Sequence, residues 1–163
     1  SALRIAPGIR RDFTASSWRS APPEIWKAER TRAREMERRD SRISLWGGDL
    51  EEEMAARARE NARKAGIGDR LTAVRADLRI FHPESESGVV LCNPPYGERL
   101  LDIQAAEQLY RKLGKVLVPR QGWSYYIISP HDDFETLFGR PADKRRKLYN
   151  GMLKCQLYMY FRG

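Results

Sequence analysis

The sequence predicts an α/β fold, a doubly wound and mostly parallel sheet that ends in an antiparallel C-terminal hairpin. Helix and strand patterns alternate from residue 23 onward, and strands separated by helices of about 12–15 residues imply parallel βαβ units. Residues 88–92, Gly-Val-Val-Leu-Cys, form an uninterrupted apolar run, the mark of a strand buried on both faces. Near the end, Asn150-Gly151 separates two strand patterns and favours the tight turn of a hairpin.

Pro22-Pro23 opens the first helix, expected over residues 24–39. Proline is tolerated at a helix start because the first N–H groups have no partner there. Ile25, Trp26, Ala28, Ala33 and Met36 make only a narrow apolar stripe, which predicts a surface helix. A short strand over 43–46 is expected to stop at Gly47-Gly48-Asp49. The helix over 51–64 turns Met54, Ala55, Ala58, Ala62 and Ala65 inward, with Gly66 as its C-terminal cap. A strand at 71–75 closes on Ala76-Asp77, and residues 82–87 read as a loop. The helix over 104–117 places Ala106, Leu109, Tyr110, Leu113 and Val116 inward. A strand at 123–129, a short helix over 132–138 and two strands, near 147–149 and over 153–160, complete the chain.

At 163 residues the chain has the size of one domain with a real core. It divides into a basic, helical segment at 1–42 and an α/β part at 43–163. No run approaches the about 20 apolar residues of a membrane helix, and residues 1–8 lack the features of a secretion signal. The expectation is a cytoplasmic protein with no membrane role. Cys92 and Cys155 both lie in apolar runs and read as buried small hydrophobes rather than a disulfide. His82 and His131 have no spaced partners, so the sequence offers no metal site. The net charge of +8 favours a polyanionic partner. Positive charge concentrates in 1–42, where Arg10 and Arg11 stand together, and in Lys144-Arg145-Arg146-Lys147. A solvated face is the alternative reading of each cluster.

The chemistry centres on Asn93-Pro94-Pro95-Tyr96-Gly97, directly after the apolar strand. In open α/β sheets ligands gather beyond the carboxyl ends of the strands, and this segment stands at one. An amino group on a nucleobase is a poor nucleophile because its lone pair is delocalised into the ring. Acceptors facing that NH₂ localise the lone pair, and the Asn93 side-chain oxygen with the Pro94 carbonyl can supply two. Pro94 and Pro95 fix the backbone and remove donors that would point the wrong way. Tyr96 offers a face on which a base can stack. A rigid Asn-Pro turn beside a half-buried tyrosine is the structural alternative.

The segment resembles the fourth motif of the amino-methyltransferases, Asn/Asp-Pro-Pro-Tyr/Phe. Together with Ile5-Ala6-Pro7-Gly8, Arg11, Phe13 and Trp18, the extension through Arg99, and Lys147-Leu148-Tyr149-Asn150-Gly151, the whole chain resembles the THUMP-associated RNA methyltransferases. That resemblance implies a Rossmann-like methyltransferase sheet and S-adenosyl-L-methionine as cofactor. It implies guanine-N2 methylation in 23S ribosomal RNA, with catalytic roles for Asn93, Pro94, Pro95 and Tyr96. Some relatives are described instead as adenine-N6 DNA methylases.

Two acidic residues match cofactor positions of the family. Asp49 corresponds to the carboxylate that takes the ribose hydroxyls, and Asp77 to the acceptor for the adenine amino group. Asn93 borders the cofactor as well. Asp49 also reads as a turn residue capping the next helix, and Asp77 as an ordinary loop residue. Where relatives carry a second Asp-Pro after the acidic residue, this chain has Leu50-Glu51-Glu52.

The family's first motif, a central strand running into a glycine-rich loop, is not found in these residues. The domain therefore reads as N-terminally truncated and inactive alone. The first strand and an upstream THUMP region are expected from a longer parent chain or in trans. In the intact enzyme the target base leaves its stack and the amine takes the methyl directly, while Arg10, Arg11 and residues 144–147 contact phosphates. Two rival readings remain: a non-catalytic RNA-binding piece, and a methyltransferase for adenine-N6 in DNA.

Overall fold

A computed structural model describes residues 3–38, 40–97 and 100–162. They form two compact units, Ser1–Arg75 and Ala76–Gly163. No helix of the described residues is long and apolar enough to cross a membrane.

The first unit contains α1 (Pro23–Glu35), β1 (Leu45–Asp49), α2 (Glu52–Ala65) and β2 (Leu71–Arg75), with a 3-10 turn at Thr14–Ser17. α1 begins on Pro23 and buries no residue, as a narrow apolar stripe requires. It ends four residues before the expected Arg39, which itself lies outside the described residues. The Arg38 N–H leaves the helical ladder and donates to the Leu3 carbonyl at 2.8 Å. α1 is fastened instead through Trp26, stacked on Phe13 with ring centroids 5.9 Å apart, and through Arg30, which donates to the carbonyls of Ile9 and Arg11.

β1 and β2 are parallel, in register from Leu45 with Leu71 to Asp49 with Arg75. β1 thus runs through Gly47 and Gly48 rather than stopping before them. The ladder to β2 outweighs the weak strand preference of glycine. α2 connects the two strands and buries Ala55 and Ala62, while Ala73 of β2 is buried as well. Met54 and Ala58 are half-buried and Ala65 is exposed, so the expected inner stripe is narrower than its spacing suggests. Gly66 caps the helix in the left-handed conformation.

The second unit contains β3 (Gly88–Cys92), α3 (Leu100–Leu117), β4 (Trp123–Ser129), α4 (Phe134–Phe138), β5 (Lys144–Asn150) and β6 (Leu153–Tyr160). The sheet order is β3-β4-β6-β5, with β3 and β4 parallel and both pairings of β6 antiparallel. Among the described residues β1 and β3 each pair with one neighbour.

Ala106, Tyr110, Leu113 and Leu117 of α3 and Phe134 and Phe138 of α4 pack on Tyr125, Ile127, Tyr158 and Tyr160 of the sheet. Phe134 stacks on Tyr158 with centroids 4.5 Å apart, and Phe138 lies against Tyr160 at 4.8 Å. β3 departs from expectation. Val90 and Cys92 join this core, but Val89 and Leu91 are 62% and 78% exposed, so the strand is covered on one face only.

β5 begins at Lys144, three residues before its expected start. An edge strand tolerates exposed basic side chains, which discourage pairing with another chain. Such a strand leaves no apolar alternation to read. In the hairpin Asn150 pairs with Leu153, so the two loop residues are Gly151 and Met152. Gly151 has φ +61°, as the first loop residue of a type II′ turn does.

Candidate active site at the end of β3

The chain leaves β3 at Cys92 and reaches α3 at Leu100, and the segment 93–97 fills most of the gap. Asn93 and Pro95 are exposed, Pro94 is buried, and Tyr96 and Gly97 are half-buried. Gly97 has φ +71°, and a Cβ there would come within 2.6 Å of the Asp102 carbonyl carbon and the Ile103 Cα. Only glycine lets the loop turn this tightly onto α3. Glu98 and Arg99, the end of the motif, lie outside the described residues.

A buried tyrosine anchors the loop from below. Tyr110 of α3 is fully buried, and its hydroxyl donates to the Pro95 carbonyl at 3.1 Å. The same hydroxyl accepts from the Ser129 hydroxyl at the end of β4, at 3.3 Å. Ser129 in turn accepts the His131 N–H at 3.1 Å. Tyr110→Phe is expected to lower stability by about 1–2 kcal/mol, because it strips a partner from the Pro95 carbonyl and the Ser129 hydroxyl. Urea unfolding of the variant measures this, and an unchanged midpoint would remove the anchor.

Above the loop, the Tyr96 hydroxyl donates to Asn93 Oδ1 at 2.5 Å. It accepts from Asn150 Nδ2 at 3.2 Å. Burial pushes the Tyr96 phenol up from its ordinary range, against a smaller opposing effect of the Asn150 hydrogen bond. Burial likewise raises Tyr110 and pushes the Cys92 thiol up to about 11. Near neutral pH both phenols are therefore protonated donors and Cys92 is a thiol, a poor nucleophile.

Asp49 ends β1 and is exposed. Its Oδ1 accepts the Glu51 N–H at 2.9 Å, while Oδ2 makes no hydrogen bond among the described residues. Asp77 caps the 3-10 turn Leu78–Ile80, accepting the Arg79 N–H at 2.9 Å. Both of its oxygens also receive the Arg79 guanidinium. Hydrogen bonds from Arg79 hold the Asp77 carboxyl below the usual carboxylate range.

The basic residues divide by partner. Arg10 donates to the Lys64 carbonyl at the end of α2 at 3.2 Å, and the Arg11 guanidinium lies 5.9 Å from the centroid of the Phe13 ring. On β5, Arg145 is paired with Glu135 at 2.7 Å, and the Lys147 ammonium lies 5.2 Å from the Tyr149 ring centroid. Lys144 and Arg146 are exposed and make no ion pair among the described residues. No group of three metal-ligating side chains occurs among the described residues.

The structure thus joins Asn93 and Tyr96 to Asn150, which the sequence marks as part of the hairpin turn and of the family-like segment 147–151 but not as a site residue. Asn150 stands 54 positions from Tyr96, and local patterning carries no signal for such a contact.

The fold is that of the α/β methyltransferases. Over 99% of its length the chain superposes with TM-score 0.91 on SMU.472, described as a putative methyltransferase complexed with SAH. The two are 39% identical, and the match covers 43% of that chain. A methylase structure from Listeria monocytogenes, described as N6-adenine-specific for DNA and predicted so, matches with TM-score 0.88 and 37% identity over 99% of this chain and 41% of that one. Residues 1–159 match the model of the UPF0020 family, the RMKL-like methyltransferase domain, and the chain belongs to that family.

Two curated relatives extend the comparison. The "Putative RNA methyltransferase YpsC" of Bacillus subtilis is 36% identical over 157 residues, 96% of this chain. The "Ribosomal RNA large subunit methyltransferase K/L" of Legionella pneumophila (strain Lens) is 35% identical over 159 residues, also 96% of this chain. The chain spans 41% of the first and 22% of the second.

SAH, bound in the SMU.472 structure, is S-adenosyl-L-methionine after loss of its methyl group. The residues present suit it. Asp49 Oδ2, without a hydrogen bond among the described residues, would be available to a ribose hydroxyl, whereas Asp77 would have to share its carboxylate with Arg79.

Proposed function

We propose that this domain methylates the exocyclic amino group of a base in RNA, with guanine-N2 of 23S ribosomal RNA as the target. The observation that carries the reading is the segment Asn93–Tyr96 at the carboxyl end of β3, braced by Tyr110 and offering the Asn93 side-chain oxygen. The names of the two curated relatives support RNA as the substrate, one of them ribosomal RNA. A cytoplasmic setting follows from that substrate.

S-adenosyl-L-methionine, when bound, supplies an electrophilic methyl group on a sulfonium. Within the first unit Asp49 would be the residue to take its ribose hydroxyls, and within the second Asp77 and Asn93 would be the residues to border it. The protein's remaining task is to hold an amine in line and make its lone pair available. Asn93 Oδ1 has two lone pairs, one engaged by the Tyr96 hydroxyl and one left for an N–H of the target. The Pro94 carbonyl is the second acceptor, Pro95 locks the loop, and the Tyr96 ring stacks on the extruded base. The proton leaves to solvent after transfer.

Arg10, Arg11 and residues 144–147 serve the phosphate backbone in this reading. Lys144 and Arg146 contribute most, because Arg145 is already paired with Glu135. Replacing both with alanine is expected to weaken RNA binding and to shallow the dependence of log affinity on log salt by about 1.4 for single-stranded RNA. Filter binding over a salt series measures the slope, and an unchanged slope would take β5 out of the RNA interface.

Adenine-N6 in DNA is the second reading, favoured by the description of the Listeria monocytogenes structure. Parallel assays with ribosomal RNA and duplex DNA as methyl acceptors separate the two. Transfer to DNA alone overturns the RNA reading.

A further inference from the structure

We infer that Asn150, at the tip of the β5–β6 hairpin, is a positioning residue that sets which way round the Asn93 amide faces. The inference rests on the reading of Asn93 as the acceptor for the target amine, and it deepens that reading.

Three side chains form a directed chain. Asn150 Nδ2 donates to the Tyr96 hydroxyl at 3.2 Å, and the hydroxyl donates to Asn93 Oδ1 at 2.5 Å. A phenol has a single proton to give. Because an amide N–H occupies its acceptor side, that proton goes to Asn93. Asn93 then presents its oxygen, not its NH₂, on the side of Tyr96. An Asn93 turned the other way would set its own NH₂ towards Tyr96, and its oxygen, the acceptor for the target amine, would point elsewhere. The hairpin supplies the donor because Asn150 is the last paired residue before the Gly151-Met152 loop. A phenol is protonated near neutral pH, and burial raises Tyr96 further in the same direction.

Steady-state kinetics on the full-length protein test this, with S-adenosyl-L-methionine and ribosomal RNA. Asn150→Asp keeps the size and turn preference of asparagine but accepts where asparagine donates. The Tyr96 proton is then drawn to residue 150 and away from Asn93. Asn150→Asp and Asn150→Ala are each expected to lower kcat about tenfold, the worth of one ordinary hydrogen bond. KM for RNA and the melting temperature stay unchanged. In a Tyr96→Phe background, where the relay hydroxyl is gone, neither substitution lowers kcat further.

An equal further loss in the Tyr96→Phe background overturns the inference, as does an effect confined to KM. Either outcome makes Asn150 a direct RNA contact. Normal kcat in both Asn150 variants, with transfer lost in Asn93→Ala, overturns the relay and leaves the reading of Asn93 standing. Full activity in Asn93→Ala overturns the reading beneath it.

Discussion

Asn93→Ala is expected to lower kcat for methyl transfer on the order of 10²- to 10³-fold, the scale seen when one preorganised polar group is removed from a reacting centre. Alanine offers no acceptor, so the base amine keeps its lone pair in the ring. The affinity for S-adenosyl-L-methionine changes little, because Asp49 and not Asn93 takes the ribose hydroxyls in this reading. Asn93→Asp retains part of the activity, since a carboxylate also accepts and the related motifs allow it. Single-turnover transfer and calorimetric titration of S-adenosyl-L-methionine separate the two effects. Near-normal transfer by Asn93→Ala would take the loop out of the chemistry.

Gly114→Ala is expected to destabilise the second unit by about 3 kcal/mol or more, at the upper end for overpacking. At an ordinary helical position the same change would stabilise by roughly 0.5–1 kcal/mol, because alanine is the better helix former. Here α3 passes so close to α4 that a Cβ on Gly114 would overlap the Phe138 carbonyl oxygen and stand 2.7 Å from its carbon. The obstacle is backbone, which cannot swing aside as a side chain can. A fall of roughly 6–12 °C in Tm corresponds to this loss for a protein of this size. The sign alone is diagnostic: a Tm that rises on Gly114→Ala would mean the two helices are further apart.

The parts of the fold that sequence revealed are those with a strong local signal. β2, β3 and β4 were legible from their apolar runs, Gly66 from its place after an apolar stripe, and the hairpin from Asn150-Gly151. The signals that failed share a cause, which is that a partner elsewhere decides the outcome. β1 runs through Gly47-Gly48 because β2 supplies its ladder. β5 includes Lys144, Arg145 and Arg146 because an edge strand needs no apolar face. Val89 and Leu91 sit in an apolar run, yet only one face of β3 packs on the core, and composition does not report that.

The same division holds at the site. Asn93, Pro94, Pro95 and Tyr96 form a contiguous motif whose chemistry can be read from residue types. Asp49 makes a turn contact to the Glu51 N–H but does not cap α2, whose N-cap is Glu51 with no side-chain cap hydrogen bond. The engagement of Asp77 by Arg79, two residues on, was within reach of local reasoning about caps. Tyr110, Ser129 and Asn150 act across the fold, and only the assembled chain brings them to the loop.

Nucleoside mass spectrometry tests amino-methyl transfer most directly. The acceptor is unmodified large-subunit ribosomal RNA, incubated with the full-length protein and S-adenosyl-L-methionine labelled in its methyl group. The expected product is labelled N2-methylguanosine, missing when Asn93→Ala replaces the native protein. Label on a ribose oxygen, a ring carbon or a ring nitrogen, or label that persists in Asn93→Ala, would contradict the proposed site and its chemistry.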